Sequence, residues 1–196
     1  MLSERTTGNP VDLYIEKRDV FRINGLNTIY EPDLGTANGY IQSIKTILTI
    51  PSVFDHLAVN RDFSLILEII ERGDLNQDII NSIYNADPIT FFAPTNTAIL
   101  SFLGTHPSWK TVHDIPSESL NDILRNHLVI HDNIVLNDLK KDTSLITESE
   151  QEITIQIDYP EWSIQGPSKK LANLSIRDIQ AVNGIIHQVD RVLLPE

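Results

Sequence analysis

The sequence contains no cysteine. That removes disulfides, thiolate metal centres and cysteine nucleophiles together. Glycine is scarce, at 8 of 196 residues. Neither G-x-x-x-x-G-K-[ST] nor G-x-G-x-x-G occurs, so no phosphate-cradling loop is expected. The patterns G-x-S-x-G, S-x-x-K and H-E-x-x-H offer no site for nucleophilic or zinc chemistry. Basic residues are few: 15 Lys and Arg face 27 Asp and Glu, a net charge of −12. Such a surface repels nucleic acid and anionic lipid. No apolar run approaches the roughly 20 residues that cross a bilayer. The opening MLSERTTGNP lacks the apolar centre of a signal peptide. A secreted or anchored parent chain stays compatible with that.

What is present reads in blocks. Residues 1–10 look like a flexible lead-in. DLYIEKRDVFRI is rich in β-branched and aromatic residues and predicts strand. Asn24-Gly25 and Asn38-Gly39 are turn dipeptides. YIQSIKTILTI predicts a mostly apolar strand. Ser52 then caps a helix over VFDHLAVN. DFSLILEIIER follows, with Phe63, Ile66, Leu67 and Ile70 on one face. Gly73 suits a left-handed cap for that helix. LNQDIINSIYN brings Leu75, Ile79, Ile80 and Ile83 into line. ITFFA predicts a buried strand, and Thr95 or Asn96 caps TAILSFLG. Ser117 opens a helix with Leu120, Ile123, Leu124 and His127 on one face. The rest is β: LVIHDNIV, the alternating EITIQI, and a strand–turn–strand over IQAVNGIIHQVDRVLL. This order is α+β, not the regular alternation of a doubly wound sheet.

The chain also repeats itself. NGYIQSIKTILTIP at 38–51 parallels NGIIHQVDRVLLP at 183–195, 145 positions apart (183 − 38). Gly39 aligns with Gly184, Ile41 with Ile186, Ile44 with Val189, Ile47 with Val192 and Leu48 with Leu193. Upstream, Asp33 aligns with Asp178 and Leu34 with Ile179. Apolar positions match better than polar ones, as two segments filling the same kind of core slot require. The period is that of a domain, not a solenoid.

Four stretches in order carry a family resemblance. TFFAPTNTAILSFL at 90–103 resembles the first hallmark of the fasciclin domain, and VNGIIHQVDRVLLP at 182–195 resembles the second. LNDILRNHLVIHDNIV resembles the family's Tyr-His region, with His127 at the histidine and Asn126 in place of the tyrosine. SVFDHLAVNRDFSLILEIIERGDL resembles the opening helices. The resemblance covers essentially all of 52–196. It implies a fasciclin fold, a β-sandwich-like wedge with helices packed along one side and both hallmark strands central. It makes 52–196 a complete domain and 11–51 the β-rich C-terminal remnant of a preceding repeat. That remnant, lacking its helical half, is expected to pack on the complete domain or to self-associate with a neighbouring chain.

Thr95, Asn96, Asn126, His127, Asp178, Asn183, Gly184 and His187 occupy family-motif positions and are expected to be structural. Arg72-Gly73-Asp74 spells the integrin tripeptide and is a candidate partner contact, although a helix end explains each residue. His127 and His131 are four apart, but the helix should end between them, so no metal site is expected. Glu148, Glu150 and Glu152 would share a strand face and discourage strand pairing, or bind calcium weakly. Asn173-Leu174-Ser175 is a glycosylation sequon.

No catalytic residue, cofactor or metal is expected. The resemblance implies a non-enzymatic adhesion or interaction module, extracellular or at the cell envelope. Its partner would be a protein or glycan at the cell surface. A bacterial lipoprotein built from tandem repeats fits this, its anchor lying outside the chain. The alternative is a small-ligand-binding domain with a pocket between helices and sheet.

Overall fold

The computed structural model describes residues 12–196 except 18, 19, 26, 86, 87 and 159. The lead-in expected over 1–10 therefore lies outside the described residues.

The front of the chain is an antiparallel meander of β1 (Ile15–Lys17), β2 (Phe21–Ile23), β3 (Asn27–Thr36) and β4 (Gly39–Ile44), hydrogen-bonded in that order. The strand expected over 40–50 is thus shorter. It ends at Ile44 because nothing pairs beyond the β3 partner, Ile29. At the β2–β3 turn Asn24 and Gly25 both have positive φ, 50° and 68°. Gly25 is required twice over, since a Cβ there would sit 2.5 Å from the Val59 side chain.

Helix α1 (Val53–Val59) begins with the expected Ser52 cap, reinforced by Asp55 in a reciprocal capping box. A 3₁₀ turn over Arg61–Phe63 leads into α2 (Ser64–Ile70). Its buried residues are Ile66, Ile69 and Ile70 behind Phe63; Leu67 is only half-buried, so the face is rotated from the expected one. The Gly73 cap is a correction. Helix α2 stops at Ile70, Gly73 is not among the positive-φ glycines, and the Arg72 N–H closes the end on the Ile69 carbonyl. That tighter i→i−3 bond does the work of a left-handed residue. Helix α3 (Gln77–Asn85) buries Ile79 and Ile83.

Strand β5 (Ile89–Pro94), helix α4 (Asn96–Leu103) and helix α5 (Ser117–Asn126) follow. The strand expected over 128–135 is only β6 (Leu128–Ile130), because His131 turns the backbone at φ 63°. Strands β7 (Thr143–Ile146), β8 (Glu152–Asp158), β9 (Glu161–Gln165), β10 (Leu171–Gln180) and β11 (Gly184–Val189) complete a seven-stranded sheet ordered β6-β5-β11-β10-β9-β8-β7. Strands β5 and β11 run parallel; the other pairs are antiparallel.

Two apolar cores lie on opposite faces of the β5–β11 pair. Ile89, Phe91, Ala93 and Ile186 pack with Leu57, Ile66, Ile83 and Leu124 of the helices. Phe92 and Val189 pack with Ile153 and Ile155 of β8, Ile164 of β9 and Leu174 of β10. Alternation along a strand sends successive side chains to opposite faces, so every residue of both hallmark strands is buried. This is an α+β wedge with its helices on one side.

Candidate interaction surface

Most family-motif positions are tied to a specific backbone group. Thr95 accepts the Ala98 N–H and caps α4. Asn96 reaches back instead. Its Oδ1 accepts the Leu65 N–H at 2.9 Å, and its Nδ2 donates to the Arg61 carbonyl at 2.8 Å and the Ser64 hydroxyl at 2.9 Å. Helix α2 has no cap of its own, so Asn96 supplies one from another element.

His127, fully buried, is the residue just after α5. Its Nε2 accepts the Leu193 N–H at 2.9 Å, which obliges Nδ1 to carry the proton it donates to the Phe92 carbonyl at 2.6 Å. Burial pushes its pKa down to about 4, against the opposing effect of the Phe92 carbonyl. The neutral ring therefore bridges β5 and the chain after β11. His187, also buried, has the opposite tautomer. Its Nδ1 accepts the Asp178 N–H at 3.1 Å and its Nε2 donates to the Ile134 carbonyl at 2.9 Å. Burial lowers its pKa, partly offset by the Asp178 carboxylate. Asp178 Oδ1 accepts the Leu136 N–H at 2.7 Å. Asn183 Oδ1 accepts the Val53 N–H at the start of α1, and Gly184 lies against Ile89. Asn126 is buried and accepts the Ser149 hydroxyl.

Arg72, Gly73 and Asp74 lie between α2 and α3. The Arg72 side chain is only 10% exposed. Its guanidinium grips both Asp74 oxygens and donates to the Val112 and Ile115 carbonyls. His131 is exposed in a loop, away from His127 inside the core. Glu150 sits in a turn at φ 62°, so it does not share a strand face with Glu152. Among the described residues no three His, Cys, Asp or Glu side chains form a metal site. In the sequon, Asn173 donates its Nδ2 to Asp190 at 2.8 Å, tying β10 to the end of β11. The apolar gap between helices and sheet, lined by Ile66, Ile99, Leu124 and Val192, has a volume of about 10 Å³, room for no more than one water.

The repeat becomes geometry in the two hairpins. Strand β4 pairs with β3 through Ile29↔Ile44, Glu31↔Ser43, Leu34↔Ile41 and Gly35↔Tyr40. Strand β11 pairs with β10 through Leu174↔Val189, Ile176↔Gln188, Ile179↔Ile186 and Gln180↔Ile185. Each of these four pairs becomes one in the second set on adding 145, both register shifts included; a fifth, Thr36↔Gly39, corresponds to the Ala181 N–H bond to the Gly184 carbonyl. The second shift centres on Asp33 and Asp178, at φ 58° and 59°. Even the bond that holds it is copied: the Asp33 N–H donates to Gln42 Oε1 at 3.0 Å, as the Asp178 N–H donates to His187.

Burial is where the copies part. Ile185, Ile186 and Val192 are 1%, 0% and 6% exposed; Tyr40, Ile41 and Ile47 are 73%, 56% and 89% exposed. Leu34, paired directly with Ile41, shares its face, and Tyr30 is a further exposed apolar side chain of β3. Patches of this kind mark interaction sites on soluble domains.

The fasciclin domain profile matches residues 61–195. The chain belongs to the fasciclin domain family. A segment of 108 residues is 27% identical to human Stabilin-1, covering 55% of this chain and 4% of that protein. The fold is similar to a FAS1 domain pair from the insect cell adhesion molecule fasciclin I. That match has a TM-score of 0.66 at 20% identity and covers 93% of this chain and 66% of that one. The coverage exceeds what 52–196 could supply alone. The chain thus spans less than two thirds of either relative.

Fasciclin-type motif residues therefore occupy structural nodes, and the hairpin carries exposed apolar side chains whose counterparts in the second copy are buried. Sequence reasoning aligned 38–51 with 183–195 but did not single out Gln42 against His187. The same 145-residue offset, applied to polar positions, would have found it.

Proposed function

We propose that this fasciclin protein is a non-enzymatic adhesion or interaction module acting outside the cell or at its envelope, with a protein or glycan partner. The observation that carries this reading is the set of exposed apolar side chains on the hairpin, Leu34 and Ile41 paired on one face and Tyr40 on the other, held on a scaffold whose motif residues are largely engaged in backbone bonds. On this reading residues 11–51 are the carboxy-terminal remnant of a second fasciclin repeat and 52–196 a complete domain. The copied register supports that division. The partner contact belongs to the hairpin rather than to Arg72-Gly73-Asp74, because the Arg72 guanidinium is already committed to Asp74 and two carbonyls. The apolar gap of about 10 Å³ has no room for a ligand, so the small-ligand reading rests instead on a cleft of about 380 Å³ between His56, Asn60 and Phe63 on the helical side and Ile176 and Ile179 of β10.

The test is adhesion of beads coated with the whole chain to cells and to a glycan array. Saturable attachment, blocked by soluble chain and weakened by Tyr40→Ser with Ile41→Ser, is expected. Attachment to neither, or attachment indifferent to those substitutions, sinks the reading.

A further inference from the structure

The second hairpin of this chain shows what the first one lacks. Strand β11 has two neighbours: β10, reproduced for β4 by β3, and β5, which lies parallel along the other edge from Gly184↔Ile89 to Val189↔Pro94. Strand β4 is the last strand of its sheet, and among the described residues no strand pairs with its outer edge. The residues that serve β5 and α1 in the second copy persist in the first. Gly184 is a glycine because the Ile89 carbonyl oxygen would lie 2.1 Å from a Cβ; Gly39 keeps the glycine with nothing within 4 Å. Asn183 accepts an N–H at the start of α1, whereas Asn38 accepts the Thr36 hydroxyl. Ile41 and Ile47 keep the apolar character of Ile186 and Val192 while facing solvent.

We infer that the β4 edge and its apolar face are a docking site for the amino-terminal half of another fasciclin module. That half would add a β5-type strand in parallel to β4, with its first helix over Asn38. The occupant is specified by the chain's own chemistry: an apolar strand of the Ile-Thr-Phe-Phe-Ala kind, starting opposite Gly39. Backbone bonds along the free edge give affinity, and alternate side-chain slots give selectivity. An uncovered edge of this type otherwise invites unspecific pairing. This names a partner for the surface proposed above and rests on that reading only in taking the hairpin as an interface. Its test needs no cell, so either idea can fail alone.

The probe is a peptide with the sequence of residues 89–96 flanked by lysines, added to the whole chain and followed by amide hydrogen exchange. Protection of residues 39–44 by about ten-fold is expected, since paired edge amides exchange only on local opening. Ile41→Lys should abolish that protection without changing the melting temperature, because Ile41 is exposed. No protection at saturating peptide overturns the proposal. So does equal protection by a scrambled peptide or in the Ile41→Lys variant. A chain that light scattering finds dimeric through residues 39–48 without peptide also overturns it, by making the occupant a second copy.

Discussion

The Leu193 N–H donates to His127 Nε2 at 2.9 Å across 66 residues of chain. The other ring nitrogen holds the Phe92 carbonyl. Removing the ring leaves both groups buried and unpaired and opens a cavity. His127→Ala should cost roughly 2–4 kcal/mol in urea unfolding, the sum of those penalties. An unchanged midpoint would remove this bridge from the list of structural supports.

The same burial sets a pH dependence. His127 is held at about 4 in the folded chain against 6.5 when unfolded. Between those values the unfolded state binds the extra proton, so stability rises with pH across the window. The contribution is whole above about 6.5 and is lost as pH falls toward 4, about 3 kcal/mol by linkage. His187, lowered by burial, acts in the same direction. The melting temperature should fall from pH 7.5 to pH 5, and His127→Gln should flatten that fall. A melting temperature that holds or rises on acidification would contradict the neutral, buried ring.

Gly184 is where the two hallmark strands meet. An alanine Cβ there would collide with the Ile89 backbone, with Val53 also within 3.1 Å. Gly184→Ala should cost roughly 3 kcal/mol or more, or prevent folding. Gly166→Ala meets the Leu193 side chain at an ordinary 3.4 Å. It should change stability by less than about 1 kcal/mol. Equal effects in thermal melts would show that close strand approach is not what Gly184 serves.

Asn96 caps a helix it does not belong to. Asn96→Ala strips α2 of its acceptor at Leu65 and frees the Arg61 carbonyl. A loss of about 1–2 kcal/mol is expected. Hydrogen exchange should locate it in residues 61–66 rather than in α4, whose Thr95 cap is untouched. Loss confined to α4 would mean the residue is a local cap.

Arg72→Ala should also destabilise, by about 1–2 kcal/mol, because the Val112 and Ile115 carbonyls lose their donor. Bead adhesion should follow Tyr40 and Ile41 and ignore Asp74→Ala. Adhesion lost in Asp74→Ala, with the hairpin intact, would return the contact to Arg72-Gly73-Asp74.

The sequence by itself determined whatever depends on spacing along the chain. It placed the caps at Ser52 and Thr95, the apolar faces of α3 and α5, the alternation of β8, and the repeat that became two hairpins of one register. Such features are local, because each residue's partner lies within a turn or across one hairpin. Tertiary structure decided the rest. The parallel pairing of β5 with β11, the grip of His127 on Leu193 and the reach of Asn96 to α2 join groups that sequence distance leaves unrelated. Gly73 lost its expected role for a local reason, since an i→i−3 bond from Arg72 to Ile69 had already closed the helix. Tertiary structure also separated two segments with one pattern. Ile186 is buried and Ile41 exposed because burial belongs to what lies on top of a strand, and only one strand has β5 and the helices over it.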